Sequence, residues 1–318
     1  MAKSIKDLKI NSKKVFKISL IVYAAILLAG IVMGIIFGVS LDINFKGGTR
    51  ITYSFTGEIK DKDFTSAVGE VIKNKFTVSR NTSIAGDTDT FSISLVGKKS
   101  LSAKTQEELT EKLTEKFPDN NIELYDSNSV SPTVAGTFFL KSLVAVLIAA
   151  ALVVVYVGIR FKKIGGITAA LTALCALVLD LMVTFVTCII FRLQIDSNYI
   201  AVVLTILGYS LNDTIVCYDR VRENKKLFPE LTTEENMNLS IDGILTRNIV
   251  TSVTTSLAVL TIVVVSELYG LSSLRTFAIP MTFGLLSGCV SSLFIAGPLW
   301  VVWRGKLDAK KAKKKAKK

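Results

Sequence analysis

Residues Gly208 to Arg220 read GYSLNDTIVCYDR and follow directly on the apolar run YIAVVLTIL, Tyr199 to Leu207. The run has the composition of a bilayer-crossing helix, and the stretch after it places Asn212 and Asp213 inside that helix and Asp219-Arg220 at its end. A charge at membrane depth costs at least a few kcal/mol, so an intramembrane carboxylate points to function. Six residues separate Asp213 from Asp219, about 600° of helix rotation, so the two do not share a face. Asp219 reads as a helix-end residue pairing locally with Arg220 or Arg222.

Working outward, the 318-residue chain is half hydrophobic, and its mean hydropathy of +0.49 is that of a polytopic membrane protein. Six spans are expected: Ile18–Gly38, Phe138–Val157, Ile164–Phe191, Tyr199–Tyr218, Ile249–Val265 and Phe277–Val302. The first is longer than a signal-peptide core and no A-x-A follows it, so it is read as a retained span.

The net charge of +12 is distributed by topology. Lys3, Lys6, Lys9, Lys13, Lys14 and Lys17 precede the first span. Arg160, Lys162 and Lys163 follow the second, and Arg220, Arg222, Lys225 and Lys226 follow the fourth. The tail RGKLDAKKAKKKAKK is basic, whereas the opposite loops hold only Arg192 and Arg275. The positive-inside rule then puts both termini in the cytoplasm and residues 39–136 outside. The tail (304–318) is read as a disordered basic segment on anionic lipid, and no nucleic-acid partner is expected.

Residues 39–136 have the composition of a soluble domain. Strand-like alternation in GTRITYSF, TVSRNTSI, TDTFSISLVG and NNIELYDS, with helical spacing between, gives β-α-β-β-α-β around an AGD turn at Ala85–Asp87. The expected fold is therefore a six-span α-helical membrane protein. An extracytoplasmic α+β, ferredoxin-like domain sits between helices 1 and 2. FKGGTR reads as a turn before the first strand. Within 137–303, the segment near 228–246 begins with a possible capping box, Thr232-x-x-Glu235, and places Met237, Ile241, Ile244 and Leu245 on one face. It is either a short amphipathic helix on the membrane surface or a packing helix.

The chain has no histidine, which removes His-based triads and His-ligated metals. No GxxxxGKT, HExxH or GxGD motif is present, so neither enzyme chemistry, a cofactor nor a metal is expected. Cys175, Cys188, Cys217 and Cys289 lie in apolar runs without CxxC spacing and read as small membrane residues.

Proton chemistry must then use carboxylates. Asp180, in ALVLDLMVTF, lies mid-span; Asp213 lies near the cytoplasmic end of its own span. Burial favours the neutral form of a carboxyl and a nearby cation favours the charged form, so a partner that moves in and out makes a proton switch. The expected partner is Arg247, opening TRNIVTSVTTSLAVLT. Thr251, Thr254, Thr255 and Ala258 continue its face as a narrow, wettable seam. Gly284 and Gly288 form a GxxxG-type packing signal.

With these segments in view, the chain resembles the SecD–SecF family of protein-export membrane proteins, in the resistance-nodulation-division superfamily. GYSLNDTIVCYDRVREN (Gly208–Asn224) is similar to the family's GYSxNDTxVxxDRxREN. DINFKGGT (Asp42–Thr49) is similar to GxDFTGGT, departing at Asn44 and Lys46. LTRNIVTSVTTSL resembles the fifth-helix motif, and LVLD the third-span motif with Leu179 where a His is frequent. The resemblance implies a subunit of the bacterial inner membrane that works with SecD. Proton or sodium flow would be used to draw unfolded secreted polypeptides from the SecYEG channel, with a YidC-type insertase as a further partner. It implies that Asp213 and Arg247 belong to the ion pathway, that Asp180 is a weaker member, and that Asn212 and Thr214 tune the site by hydrogen bonding. One external domain of this size leaves no room for the paired porter domains of drug exporters.

Overall fold

The computed structural model describes residues 12–74, 76–81, 89–96 and 101–315. The lysines up to Lys9 and the expected Ala85–Asp87 turn lie outside them.

Helix α1 (Ser12–Phe37) leads through the short helix α2 (Ile43–Lys46) into β1 (Gly48–Phe55), α3 (Asp61–Val71), β2 (Phe76–Asn81), β3 (Asp89–Val96), α4 (Ala103–Lys116) and β4 (Glu123–Val130). The four strands form one sheet in the order β2-β3-β1-β4, with every neighbouring pair antiparallel. The alternation of Ile51, Tyr53 and Phe55 puts all three on the face covered by Phe64, Ala67 and Val68 of α3 and Leu109 and Leu113 of α4. Phe55, Phe91 and Phe64 stack in series, with centroids 4.7 and 4.1 Å apart. This unit has its own closed core.

Five further helical segments follow: α5 (Pro132–Arg160), α6 (Gly166–Ile190), α7 (Ser197–Leu227), α8 (Thr233–Leu268) and α9 (Ser272–Ser291). A π turn, Ser292–Ala296, carries α9 into α10 (Gly297–Lys315). Six helices are long and apolar enough to cross a membrane, the last formed by α9, the π turn and α10. The chain is thus a multi-pass membrane protein. Its outer faces agree: Ile35 of α1 is 80% exposed and Leu152 of α5 is 65% exposed among other bare aliphatics, a surface suited to lipid and not to water.

Capping sets the starts. Ser131 accepts from the Val134 amide ahead of Pro132 at N1 of α5. Asp196 accepts from the Asn198 and Tyr199 amides at α7. Thr232 and Glu235 close the expected capping box at α8.

Of the two readings of the segment near 228–246 the packing helix holds: from Thr233 on it is the first part of α8 and not a separate surface helix. Met237, Ile241 and Ile244 are buried against Tyr218, Trp300 and Phe161. The face is apolar because it packs on α7 and α10. The basic tail, expected to be disordered, has helical backbone as far as Lys315, continuing α10; Lys and Ala are good helix formers with no breaker between them.

Candidate intramembrane polar site

Asp180 lies on α6, the helix enclosed by α1, α5, α7 and α9, and is fully buried. Three hydroxyls donate to it: Ser210 of α7 at 2.6 Å, Ser287 of α9 at 2.6 Å and Ser291 of α9 at 2.8 Å. Tyr23 of α1 closes the nest, its hydroxyl 2.9 Å from Ser287 Oγ and 3.0 Å from the Ser287 carbonyl. Four helices thus converge on one carboxyl, and no described ion pair involves it.

Asp213, three residues after Ser210 on α7 and so about 60° round the helix from it, looks towards Ser252 of α8 and Cys289 of α9. It is 3% exposed, and its Oδ2 has no hydrogen-bond partner among the described residues. Ser252 of α8 and Cys289 of α9 stand beside it. Arg247 lies within electrostatic reach of Asp213 but forms no ion pair among the described residues. It is exposed and lines an open cavity of about 650 Å³ with Val216, Asp219, Arg220, Lys226 and Ile244.

The expected seam is displaced by one residue. Thr251 and Thr255 meet Tyr209, whose hydroxyl donates to the Thr251 carbonyl at 3.2 Å and to Thr255 Oγ1 at 3.1 Å. Thr254 is exposed and bonds only to its own helix at Val250 and Thr251, and Ala258 is exposed. The buried polar row is instead Asn248, Ser252 and Ser256, 2%, 1% and 6% exposed. One residue is 100° of rotation, so the face carrying Arg247 and the face meeting Asp213 are adjacent but distinct. Asn212 is exposed, turned away from Asp213, and Thr214 donates to the Ser210 carbonyl at 3.3 Å, inside its own helix. Neither supports the carboxylate as expected.

Asp219 pairs with Arg222 at 2.8 Å, as the local reading had it, and also with Arg160 of α5 at 3.0 Å. Arg220 pairs instead with Glu223 at 2.6 Å.

Sequence reasoning missed a second polar cluster where the sheet unit meets the helices. Asp42 is fully buried; it pairs with Arg50 of β1 and accepts from Asn44 at 2.8 Å. Arg50 also donates to Gln194 at 3.0 Å. Backbone bonds join Asp42 to the Ile195 carbonyl and Ile195 to the Ser40 carbonyl, at 3.0 and 2.9 Å. The FKGG segment is therefore the end of a docked helical turn, Ile43–Lys46, with Gly47 as its C-cap and Gly48 opening β1. Gly47 has φ +76° and sits so close to Pro132 that a Cβ would fall 2.8 Å from the Pro132 Cα.

The family described as "Protein export membrane protein SecD/SecF, C-terminal" matches residues 109–306. The protein translocase subunit SecF of Alicyclobacillus acidocaldarius is 32% identical over 286 residues, 89% of each chain. The SecDF of Bacillus subtilis is 35% identical over 298 residues, covering 89% of this chain and 36% of that longer one. Among solved structures, SecDF from Thermus thermophilus, a translocon-associated membrane protein, is 25% identical with a TM-score of 0.79, covering 96% of this chain and 40% of that one. A SecDF in a super-membrane-facing form is 28% identical with a TM-score of 0.65, covering 95% and 39%. Matched by the family from α4 through the membrane helices, over residues 109–306, and along most of its length by these relatives, the chain belongs to the SecD/SecF family of protein-export membrane proteins.

Proposed function

We propose that the chain is the SecF-type subunit of an auxiliary to the Sec protein translocase, a transport subunit and not an enzyme. It resides in the bacterial inner membrane with both termini cytoplasmic, and the sheet unit is a ferredoxin-like domain on the far side. The longer SecDF relatives support a SecD unit as partner. On this reading the two units together use the proton gradient, or a sodium gradient, to promote emergence of unfolded polypeptide from SecYEG, in an assembly that admits a YidC-type insertase.

The observation that carries the reading is Asp213: a carboxylate almost wholly buried, with Ser252 as its neighbouring donor, no close hydrogen bond to Oδ2 among the described residues, and Arg247 within electrostatic reach. A structural carboxylate is normally saturated by partners; an unsaturated one is available to a travelling proton. One proton crossing 100 mV gains about 2.3 kcal/mol, enough to bias a two-state equilibrium about fifty-fold. Asp213→Asn and Arg247→Met are expected to abolish gradient-driven stimulation of secretion while the protein remains folded in the membrane. Full activity of both variants removes the reading.

Asp180 favours a second reading, a scaffold without its own ion coupling, because three hydroxyls already saturate it. On that reading the same variants lose co-purification with partner subunits before they lose activity.

A further inference from the structure

The open cavity of about 650 Å³ between α7 and α8 has an unbalanced wall. It carries four cations, Arg220, Arg222, Lys226 and Arg247, against two carboxylates, Asp219 and Glu223. Both carboxylates are engaged within the protein. Asp219 pairs with Arg222 at 2.8 Å and with Arg160 of α5 at 3.0 Å, and Glu223 pairs with Arg220 at 2.6 Å. Lys226 and Arg247 are exposed and form no ion pair among the described residues. Cations gathered in one cavity repel one another, so the two left over favour an anion from outside the chain.

The position of the cavity selects the kind of anion. The apolar part of α7 ends at Tyr218 and its charged part begins at Asp219. The cavity therefore lies where a bilayer changes from hydrocarbon to head groups. Next to it the outer surface of α8 is bare aliphatic. Val250 and Leu257 stand three and ten residues after Arg247, within about 80° of it round the helix, and are 54% and 56% exposed. Free phosphate or a nucleotide would use the cations and leave this strip uncovered. A lipid uses both, its phosphate in the cavity and its acyl chains on the strip.

We propose that this cavity binds the head group of an anionic phospholipid, with Arg247 and Lys226 supplying the charge and the acyl chains lying along Val250 and Leu257. A zwitterionic phospholipid brings the same phosphate without net charge, so the two unpaired cations select between the classes. The site requires only that α7 and α8 cross a bilayer; it does not depend on ion coupling at Asp213.

The purified full chain in mild detergent is titrated with phosphatidylglycerol and with phosphatidylcholine of identical acyl chains, and the lipid held by the intact protein is read by native mass spectrometry. A cation beside an anionic head group contributes about fivefold to binding, so the wild type is expected to prefer phosphatidylglycerol by a factor on the order of thirty. Lys226→Gln and Arg247→Gln are each expected to lower that preference about fivefold. Lys162→Gln combined with Lys163→Gln, which removes two exposed cations between α5 and α6, is expected to leave it unchanged. Lys226 has no ion pair or hydrogen bond among the described residues, so its variant decides the matter even where Arg247→Gln misfolds. A wild type that does not distinguish the two lipids overturns the proposal. So does an equal loss in the Lys162 and Lys163 control, which would mean attraction to surface charge in general. Displacement of the lipid by excess inorganic phosphate would make the cavity a site for soluble anions and overturns the proposal as well. Full export by Asp213→Asn removes the ion-coupling reading and leaves the lipid measurement to decide this site.

Discussion

Ser210 of α7 donates to Asp180 of α6 across the helix interface at 2.6 Å, and the same serine begins the stretch of α7 that places Asp213 against α8. One turn of α7 thus donates to a saturated carboxylate on α6 and carries an unsaturated one of its own, about 60° round the helix.

That difference predicts different responses. Asp180→Leu strands three buried hydroxyls, and Ser287→Ala removes one donor from the nest. Loss of a hydrogen bond to a carboxylate costs about 1.5–3 kcal/mol. Ser287→Ala is expected to lower the detergent-solubilised Tm measurably, and Asp180→Leu more. A Tm unchanged in both would show that the nest does not hold the four helices.

Asp219 offers the contrasting case. Its pairs with Arg160 and Arg222 involve side chains that are 28–38% exposed. Pairs of this kind contribute about 0–1 kcal/mol. Asp219→Ala is expected to keep near wild-type Tm and secretion activity in the assay that Asp213→Asn fails. Equal loss by the two variants would move the ion pathway to the helix end.

The Asp42–Arg50 pair is the polar tie between the sheet unit and the α6–α7 connection. Breaking a buried pair by removing one partner costs about 3–5 kcal/mol; Arg50 is 28% exposed, so the lower end applies. Asp42→Ala is expected to make the 38–47 connection cleavable by protease in folded protein. Gly47→Ala should act similarly, because φ +76° and the Pro132 contact leave no space for a methyl group. Resistance of both to cleavage would show that the strand-like pairing of Leu41 with Ile195 suffices.

Much of this was legible in the residues. Apolar length gave all six spans, because a bilayer imposes one physical requirement on each. The β-α-β-β-α-β order followed from alternation, since β1 buries Ile51, Tyr53 and Phe55 on one face. The two aspartates stood out because charge is rare in such runs. What was not legible was rotation. Helix α8 offers two polar faces, and Arg247 drew attention to the one that points outward. Asn248, Ser252 and Ser256 carry the same i, i+4 spacing and could have been named; choosing between faces needs the neighbours, which only the packing of α7 and α9 supplies. The Asp42–Gln194 cluster joins residues too far apart in sequence for any local pattern to show it.

Helix closeness at the nest depends on Gly284 and Gly288, the expected GxxxG pair. A Cβ on Gly284 would collide with Ile206 Cδ1, and one on Gly288 would lie 3.0 Å from Ser210 Cβ. Overpacking of this kind costs about 1–3 kcal/mol. Gly288→Val should part α9 from α7 and weaken the Ser210 and Ser291 bonds to Asp180 together. The check is a double-mutant cycle with Ser210→Ala: the two losses should be less than additive, and strict additivity would show that Gly288 does not set the nest.

At the opposite end of α7, Asp196 caps the helix, accepts from Thr276 at 2.9 Å and lies within electrostatic reach of Asp42. Burial raises its carboxyl above the ordinary range, with Asp42 adding in the same sense; the bonds from Thr276, Tyr199 and Asn198 oppose this. A carboxyl with a raised pKa binds its proton more tightly in the folded protein. Its ionisation therefore costs stability as pH rises from the unfolded value, about 3.9, through the folded one, and the cost is constant above that. Asn is as good an N-cap as Asp and does not titrate. The Tm of Asp196→Asn minus that of the wild type should therefore increase with pH across that window and then level off. A difference that falls with rising pH would mean that the three donors outweigh burial and that Asp196 is held as a stabilised anion.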